Sequence, residues 1–347
     1  MKEITVGSNE AGQRLTKLLE KVLNQAPKGF LYKMLRKKNI KLNDKRADGG
    51  EILQSGDRIQ IYLSDDTFEK FHQDRYPEPH NLDKGPFRAG LPSLSADRVL
   101  YQDDHIMILN KPAGILSQKA GPEDDSINEQ MIRYLLEQGS IQEEQLQTFT
   151  PSVCNRLDRN TSGILLAGIS LAGSQELSRM LRDRSLEKYY LTLAAGAMTE
   201  PMQAVAYLQK DPAKNQVQVS SHPVQGSDRI ETHYRPLQWN ESYTLLEVKL
   251  VTGKSHQIRA HLAYLGHPVL GDARYGSREQ NLEFRKRFGI QNQFLHAYRI
   301  VFPMVKGPLS DISGMEFRAP LPGKYRKALE LLWGQNQISR IEQRQSS

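Results

Sequence analysis

A single carboxylate between two arginines is the group in this sequence best placed to do chemistry. Asp158 stands between Arg156 and Arg159, just ahead of an apolar, strand-like run at residues 164–168. A loop that delivers an acid to the start of a buried strand is a common way to build an active site. The alternative is a structural aspartate that caps a turn and pairs with a neighbouring arginine. These residues alone do not decide between the two.

Other groups that could react or bind a metal are sparse. Cys154 is the one cysteine, which excludes an intramolecular disulfide and, with scattered histidines, argues against a zinc site. A catalytic thiol next to Asp158 is conceivable, but the apolar neighbour Val153 favours a buried structural thiol. His256 and His261 are five residues apart, which is poor ligand spacing, so we expect them to be packed or on the surface.

The composition is that of a soluble globular protein. The 347 residues are enough for two domains with sizeable cores, and the hydrophobic and charged fractions, 38% and 25%, are ordinary. No run of about 18 apolar residues is present, so we expect no membrane span. The N-terminus lacks the apolar core of a signal peptide, so we expect a cytoplasmic protein.

Positive charge is concentrated near the N-terminus. The net charge is +7, and only Asp44 and Asp48 oppose a basic cluster between residues 28 and 46. A solvated helix face usually mixes signs, whereas one-sign clustering indicates a polyanionic ligand such as nucleic acid. The cluster consists of Lys28, Lys33, Arg36, Lys37, Lys38, Lys41, Lys45 and Arg46.

The first 63 residues read as a small α/β unit. Apolar spacing predicts helices over residues 13–25 and 28–38, a strand over 40–45, and a strand over 58–63 after a turn at Gly56-Asp57. This order, over about residues 12–63, resembles an S4 RNA-binding domain. The resemblance implies that the basic helix faces the groove and phosphates of structured RNA. The RNA-binding residues it indicates are Arg14, Lys33, Arg36, Lys37 and Lys38.

Two later segments are predicted to lack regular structure. Residues 64–97 are rich in proline and glycine, and we interpret them as a linker anchored by Phe68, Phe71 and Phe87. The tail, residues 334–347, is rich in Gln, Ser and Arg, and we expect it to be disordered. Residues 98–333 form the second domain. In it we predict paired strands within 98–114, helices over 126–137, 171–184 and 256–266, and strands over 164–168, 188–194, 216–219 and 244–248.

Four motifs of the second domain occur in an informative order. They are Leu109-Asn110-Lys111-Pro112-Ala113-Gly114, the stretch 155–163 around Asp158, Lys188-Tyr189-Tyr190, and the stretch 252–259 that ends in His256-Gln257-Ile258-Arg259. Residues 266–272 and 294–297 follow. Together they strongly resemble the RluA-like family of RNA pseudouridine synthases from about residue 98 to 322. The match is to the branch with an N-terminal S4 domain, whose best-known members modify large-subunit ribosomal RNA. The fold implied is α+β, with a mixed, mainly antiparallel sheet.

The resemblance assigns roles by position. Asp158 corresponds to the catalytic aspartate and Tyr190 to the tyrosine that packs on the target base, with Tyr189 the alternative if the register slips. Arg259 corresponds to the arginine that pairs with the aspartate. Arg156 corresponds to the arginine that fills the space left by a flipped nucleotide. We interpret Lys111 as a strand-end or phosphate contact.

The implied reaction explains these residue types. It breaks the N1–C1′ bond of uridine, rotates the base and joins C5 to C1′, so nothing is oxidised and no cofactor or metal is required. The carboxylate of Asp158 can attack C1′ or take a proton from the sugar. Burial raises the pKa of an acid, and a fixed arginine opposes that shift. The stacked uridine has to be flipped out, at a cost of roughly a few kcal/mol.

Three positions depart from the family pattern. The family usually has His where Asn155 stands, an acid near Asn160, and Arg-Thr where this chain has Lys254-Ser255. None removes the proposed catalytic groups, so we predict a pseudouridine synthase. We expect a monomer that acts on structured RNA, foremost 23S ribosomal RNA or its precursor. The alternatives are a tRNA pseudouridine synthase and a non-catalytic S4-type RNA-binding or ribosome-assembly factor.

Overall fold

Two separate sheets organise the chain in the computed structural model, which describes residues 1–7, 9–73, 92–121, 123–211 and 216–335. The smaller sheet belongs to the N-terminal residues and the larger one to the second domain. Within these ranges no helix is both long and apolar enough to cross a membrane.

The N-terminal unit packs two helices against a four-stranded antiparallel sheet. Its strands are β1 (Lys2–Thr5), β2 (Ile40–Leu42), β3 (Lys45–Arg46) and β4 (Arg58–Ile61), in the order β1-β4-β2-β3. Helices α1 (Leu15–Val22) and α2 (Lys28–Arg36) bury their leucines and Met34 in a common core with Ile59 and Ile61 of β4. The amphipathic spacing therefore predicted both helices, each slightly too long. That the unit is S4-like stays a prediction.

A short helix occupies the start of the region predicted to be a linker. Helix α3 (Asp65–Phe71) begins at Ser64, whose hydroxyl accepts a hydrogen bond from the amide of Thr67. Phe68 and Phe71 pack against the N-terminal core, as predicted for anchoring residues. The prediction of irregular structure is thus wrong for this helix, because a serine N-cap and two core aromatics are sufficient to order it. Phe87 and the predicted disorder of 336–347 lie outside the described residues.

The second domain is built on one large sheet, which within the described ranges has eleven strands. Nine strands follow the order β11-β10-β12-β13-β9-β14-β8-β6-β5, with β15 added to β14 and β7 to β8. All pairs are antiparallel except β14 with β8. The prediction of a mixed, mainly antiparallel sheet is confirmed. The strands are β5 (Val99–Gln102), β6 (Ile106–Lys111), β7 (Ser152–Val153), β8 (Ser162–Gly168), β9 (Glu187–Ala195), β10 (Met202–Asp211), β11 (Gln216–Ser220), β12 (Asp228–Trp239), β13 (Tyr243–Leu250), β14 (Leu295–Val301) and β15 (Glu316–Arg318).

Helices cover both faces of this sheet, so its central strands are apolar on both sides. In β6, Met107 and Leu109 join one core with α4 and α6, whereas Ile106 and Ile108 join another with α5. A third core lies between the C-terminal end of β9 and helices α7 and α8, and it includes Leu193. The helices are α4 (Ile127–Glu137), α5 (Leu171–Asp183), α6 (Gln257–Tyr264), α7 (Arg278–Phe288) and α8 (Gly323–Trp333).

Close backbone approach requires glycine at the start of β8. Gly163 has φ +110°, and a Cβ on it would lie 2.1 Å from the carbonyl oxygen of Ala297 in β14. This is the place where β8 and β14 pair in parallel, with Gly163 opposite Ala297. A side chain would force the two strands apart, so the glycine after Ser162 is what lets the Asp158 loop lead into the sheet.

Candidate active site

The loop that carries Asp158 is clamped to a second loop by hydrogen bonds. It runs from β7 to β8, and the amide of Thr161 closes a turn onto the carbonyl of Asp158 over 3.0 Å. The hydroxyl of Ser117 donates to the carbonyl of Leu157 (2.9 Å) and accepts from its amide (3.0 Å). The amide of Gly114 donates to the carbonyl of Arg159. Asp158 therefore sits on a backbone fixed on both sides, as a reacting group requires.

Lys111 is part of this clamp and does not contact solvent. Its side chain is fully buried, and its ammonium donates to the carbonyls of Pro112 (2.9 Å), Ile115 (2.8 Å) and Arg159 (2.9 Å). Burial lowers the pKa of Lys111 to about 7, whereas three carbonyl acceptors favour the ammonium form with its three donors. The predicted phosphate contact is wrong, because the side chain turns inward to satisfy carbonyls that the loops leave unpaired.

Arg259 joins Asp158 to a second, fully buried acid. From α6, its Nη1 donates to Oδ2 of Asp158 over 2.7 Å, while Nε and Nη2 donate to the carboxylate of Asp272 over 2.6 and 2.8 Å. Burial opposes charge on both Arg259 and Asp272. The hydrogen bonds and opposite charges of the pair outweigh this effect of burial, so the pKa of Arg259 is raised and that of Asp272 is lowered. The pairing of Arg259 with Asp158 is present as predicted, and Asp272 orients the guanidinium.

Tyr190, and not Tyr189, lies on the side of the sheet that bears Asp158. Tyr190 packs in the same core as Leu157, which precedes Asp158, and Ile258, which precedes Arg259. Burial, followed by the charge of Asp158, raises the pKa of Tyr190, so its phenol is protonated. Tyr189 faces the opposite side, where its hydroxyl bonds to Glu187 and a guanidinium stacks on its ring. The strand alternation excludes the slipped register.

His256 lies beside Asp158, in agreement with its predicted place near the site. Its Nε2 is 4.0 Å from Oδ1 of Asp158, and its side chain is 15% exposed. Its Nδ1 lies 2.9 Å from the hydroxyl of Tyr275. Burial lowers the pKa of His256, the negative charge of Asp158 opposing the shift. His256 is packed, as expected, with its ring edge-on to that of Tyr275. His261 is buried in the core, also as expected.

The remaining loop residues separate into structural and exposed groups. Oδ1 of Asn155 accepts a hydrogen bond from the amide of Leu166 over 2.7 Å, so this departure from the family pattern ties the loop to β8. Cys154 packs into a core, and burial raises the pKa of its thiol, which is not that of an activated thiolate. The side chains of Arg156 and Arg159 are exposed.

The basic residues of the N-terminal unit also face solvent. Arg14 precedes α1, and the others belong to α2 or follow it. None makes an ion pair with any residue in the described ranges, so their charge is available to an external anion. The exposed set is Arg14, Lys33, Arg36, Lys37 and Lys38. The described ranges contain no group of three or more His, Cys, Asp or Glu residues that could hold a metal.

Comparison with known proteins decides the family. The RNA pseudouridylate synthase family model matches residues 105–264. Ribosomal large subunit pseudouridine synthase C of Vibrio cholerae is 32% identical over 328 residues, covering 94% of this chain and 95% of that protein. The protein of that name from Escherichia coli is 31% identical over 306 residues, covering 87% and 88%. The chain belongs to the RNA pseudouridylate synthase family.

A solved structure has the same fold. The synthase superimposes on human RNA Pseudouridylate Synthase Domain Containing 4 with a TM-score of 0.53 at 19% identity, covering 67% of this chain and 92% of that one. The family prediction is confirmed. The chain is therefore an isomerase that converts uridine in RNA to pseudouridine.

Sequence reasoning missed three residues that build the site. Asp272 was noticed as the end of a motif without a role, and Ser117 and Tyr275 were not noticed at all. The sequence gives only a weak indication of the role of Asp272. The apolar residues Val269 and Leu270 shortly before it suggest that it is buried, and a buried acid requires a partner. Ser117 and Tyr275 carry no signal in sequence, because each acts only through a contact with a distant segment.

Proposed function

We propose that the synthase modifies uridine in large-subunit ribosomal RNA, and that Asp158, Arg259 and Tyr190 carry the reaction. The main supporting observation is that Arg259 donates two hydrogen bonds to Asp272. Its remaining nitrogen, Nη1, donates to Asp158. An RNA-binding protein without activity has no use for an acid so supported. The substrate follows from the relatives, whose names state the large ribosomal subunit.

The geometry divides the work between the two oxygens of Asp158. Oδ2 accepts the bond from Arg259, so Oδ1 is the oxygen that remains to react. It either attacks C1′ or removes a proton from the sugar, and both require the carboxylate form. Arg259 holds Oδ2 over 2.7 Å and so fixes the orientation of the carboxylate, whose side chain is 27% exposed and can be reached by a substrate.

Tyr190 and Arg156 act on the base and on the gap it leaves. The ring of Tyr190 offers a rigid apolar face for the flipped uracil, and its protonated hydroxyl can donate to the base. Arg156 projects its exposed side chain from the catalytic loop, two residues before the carboxylate. Its planar guanidinium can stack where the uridine stood and offset part of the cost of unstacking.

The N-terminal unit, residues 1–63 with α3, supplies the second RNA contact in this proposal. Its exposed residues Lys33, Arg36 and Lys37 belong to one helix or its C-terminal end, and their charges are unopposed within the described ranges. Phosphate contacts of this kind give affinity without reading sequence. A ribosomal RNA substrate agrees with the cytoplasmic, monomeric enzyme predicted above.

Release of tritium from RNA carrying it at uridine C5 tests the chemistry. We expect release by the wild-type synthase and a loss of roughly a thousandfold or more for Asp158→Asn, which keeps the shape but not the charge. Asp311→Asn, at an exposed acid in a short 3-10 helix, is the control and should retain activity. Undiminished tritium release by Asp158→Asn would contradict a catalytic Asp158, whereas equal RNA binding without release from any of the three proteins would contradict the proposed reaction.

Pseudouridine mapping tests the substrate. Ribosomal and transfer RNA from a strain without the gene should lack pseudouridine at specific large-subunit positions only. The wild-type gene should restore them and the Asp158→Asn gene should not. Loss of pseudouridine from transfer RNA, with ribosomal RNA unchanged, would replace the ribosomal substrate with the alternative one.

A further inference from the structure

The two oxygens of Asp158 have different surroundings. Oδ2 is held by Arg259, whose other nitrogens are bound to Asp272. Facing Oδ1 is Nε2 of His256, at 4.0 Å. That distance is too long for a hydrogen bond. It does allow one small polar group of a substrate to lie within contact distance of both Oδ1 of Asp158 and Nε2 of His256.

His256 is held rigidly in this position. It precedes α6 with φ +56°, a left-handed conformation that is uncommon for a residue with a side chain and is typical of functional sites. Its ring meets that of Tyr275 edge-on, and Nδ1 lies 2.9 Å from the Tyr275 hydroxyl. That hydroxyl in turn accepts a bond from the amide of Val217 over 3.0 Å. A histidine that served only packing would not need to be fixed from two other segments.

The surroundings assign the imidazole proton to Nε2. The negative charge of Asp158 faces Nε2 and favours N–H on that side. The hydroxyl of Tyr275 already accepts from Val217, so its own proton can go to Nδ1 of His256. Burial lowers the pKa of His256, which keeps the ring neutral. Nε2–H is then a donor without an acceptor among the described residues, aimed at the space next to the reacting oxygen.

Either route of reaction brings the ribose to that space. Attack on C1′ requires Oδ1 within about 3–3.5 Å of C1′, and removal of the C2′ proton requires Oδ1 beside C2′. The 2′-hydroxyl is bonded to C2′, so in both cases its oxygen lies close to Oδ1 and to the donor that faces it.

We propose, on the basis of the proposed role of Asp158, that Nε2–H of His256 donates a hydrogen bond to the ribose 2′-hydroxyl of the target uridine. The contact makes His256 a residue that selects ribose over deoxyribose at the reacting nucleotide. It also orients the sugar so that Oδ1 of Asp158 meets the correct carbon. A donor in a buried site discriminates strongly against an analogue without its partner, because the donor is then left unsatisfied.

A comparison of two substrates with two proteins tests this contact. The substrates are one RNA fragment with uridine or 2′-deoxyuridine at the modified position, and the readout is kcat/KM for tritium release. For the wild-type synthase, kcat/KM should be roughly tenfold to a hundredfold lower on the deoxy substrate than on the ribose substrate. On the ribose substrate, kcat/KM of His256→Ala should be lower than that of wild type by a similar factor. Changing ribose to deoxyribose should then lower kcat/KM of this variant almost no further. His256→Gln, which retains an N–H donor, should recover part of the discrimination.

Controls separate this result from a structural effect. His222→Ala, at an exposed histidine in a turn, should keep the full wild-type penalty. If the wild-type protein does not turn over the deoxy substrate, the same comparison is made by equilibrium binding in the Asp158→Asn background, with and without His256→Ala. A full deoxy penalty in His256→Ala, by rate or by binding, would overturn the contact. No tritium release by wild type from the ribose substrate would instead overturn the proposed function.

Discussion

At the scale of single residues, the site is an arginine shared by two carboxylates of different character. Asp272 is fully buried and accepts two hydrogen bonds from Arg259, whereas Asp158 is partly exposed and accepts one. The buried acid fixes the guanidinium, and the guanidinium holds one oxygen of the other acid. Arginine suits this position because its planar fork can serve both partners at once, which a lysine cannot do.

Removing charge from the buried acid should damage both stability and catalysis. Asp272→Asn leaves Arg259 buried with an amide that can accept only part of its hydrogen bonds, so we expect a loss of about 3 kcal/mol in unfolding free energy. We also expect kcat to fall at least about tenfold, because Arg259 no longer holds Oδ2 of Asp158. Denaturant titration and tritium release measure the two effects.

The matched control breaks an exposed ion pair in the same domain. Asp228 pairs with Lys254 over 2.8 Å, and both side chains are substantially exposed, at 54% and 41%. Asp228→Asn should cost less than about 1 kcal/mol. If the two variants lost equal stability, the buried pair would not have the role assigned to it.

At the scale of elements, the site depends on where β8, β9 and β14 meet. The Asp158 loop enters β8, Tyr190 lies on β9, and β14 is hydrogen-bonded to both. Ser162, at the start of β8, is linked to the buried ring of His296 in β14 over 2.8 Å. Gly163 permits the close contact that holds this junction together.

Gly163→Ala should therefore destabilise far more than an ordinary glycine substitution. The new Cβ would overlap the backbone of Ala297, and backbone gives way less easily than a side chain, so we expect a loss of at least about 3 kcal/mol. Gly266→Ala is the control, since its φ is +87° but a Cβ there meets nothing within 4 Å. It should cost only the left-handed conformation, about 1 kcal/mol. Thermal unfolding midpoints compare the two, and equal shifts would contradict the role of close approach.

At the scale of the whole molecule, charge is divided between two surfaces. The N-terminal unit presents its basic helix, and the second domain presents Arg156 and Arg159 near the reacting acid. Affinity for RNA can thus arise in one domain and chemistry in the other.

Removal of the basic helix charges should flatten the salt dependence of RNA binding. Replacing Lys33, Arg36, Lys37 and Lys38 with Ala removes up to four phosphate contacts, so the slope of log K against log salt should fall by roughly 2–3. Titrations at several salt concentrations measure it. Replacing the exposed Arg278, Arg285, Lys286 and Arg287 of α7 with Ala also removes four positive charges and controls for net charge. An unchanged slope in the first variant would mean that α2 does not contact RNA.

Much of the fold was predictable from local pattern. Helical spacing located α1, α2, α4 and α5 to within a few residues at each end, and alternation located β4 and β9. Each of these signals depends on neighbours in sequence that share one buried face. Helix α3 was missed because its proline-rich surroundings outweighed a brief apolar signal, and the order of strands in the large sheet has no local signal at all.

For the site, sequence by itself determined the chemical groups, and the tertiary structure decided what each one touches. The order of the four motifs, three of which contain Asp158, Tyr190 and Arg259, was sufficient to predict the family by resemblance, and with it the reaction. Only the fold turned Lys111 inward, set Asp272 behind Arg259 and brought His256 to the free oxygen of Asp158. The reason is that burial and pairing of a charge depend on segments that the fold brings together, 13 residues apart for Arg259 and Asp272 and 48 for Lys111 and Arg159, which no local spacing encodes.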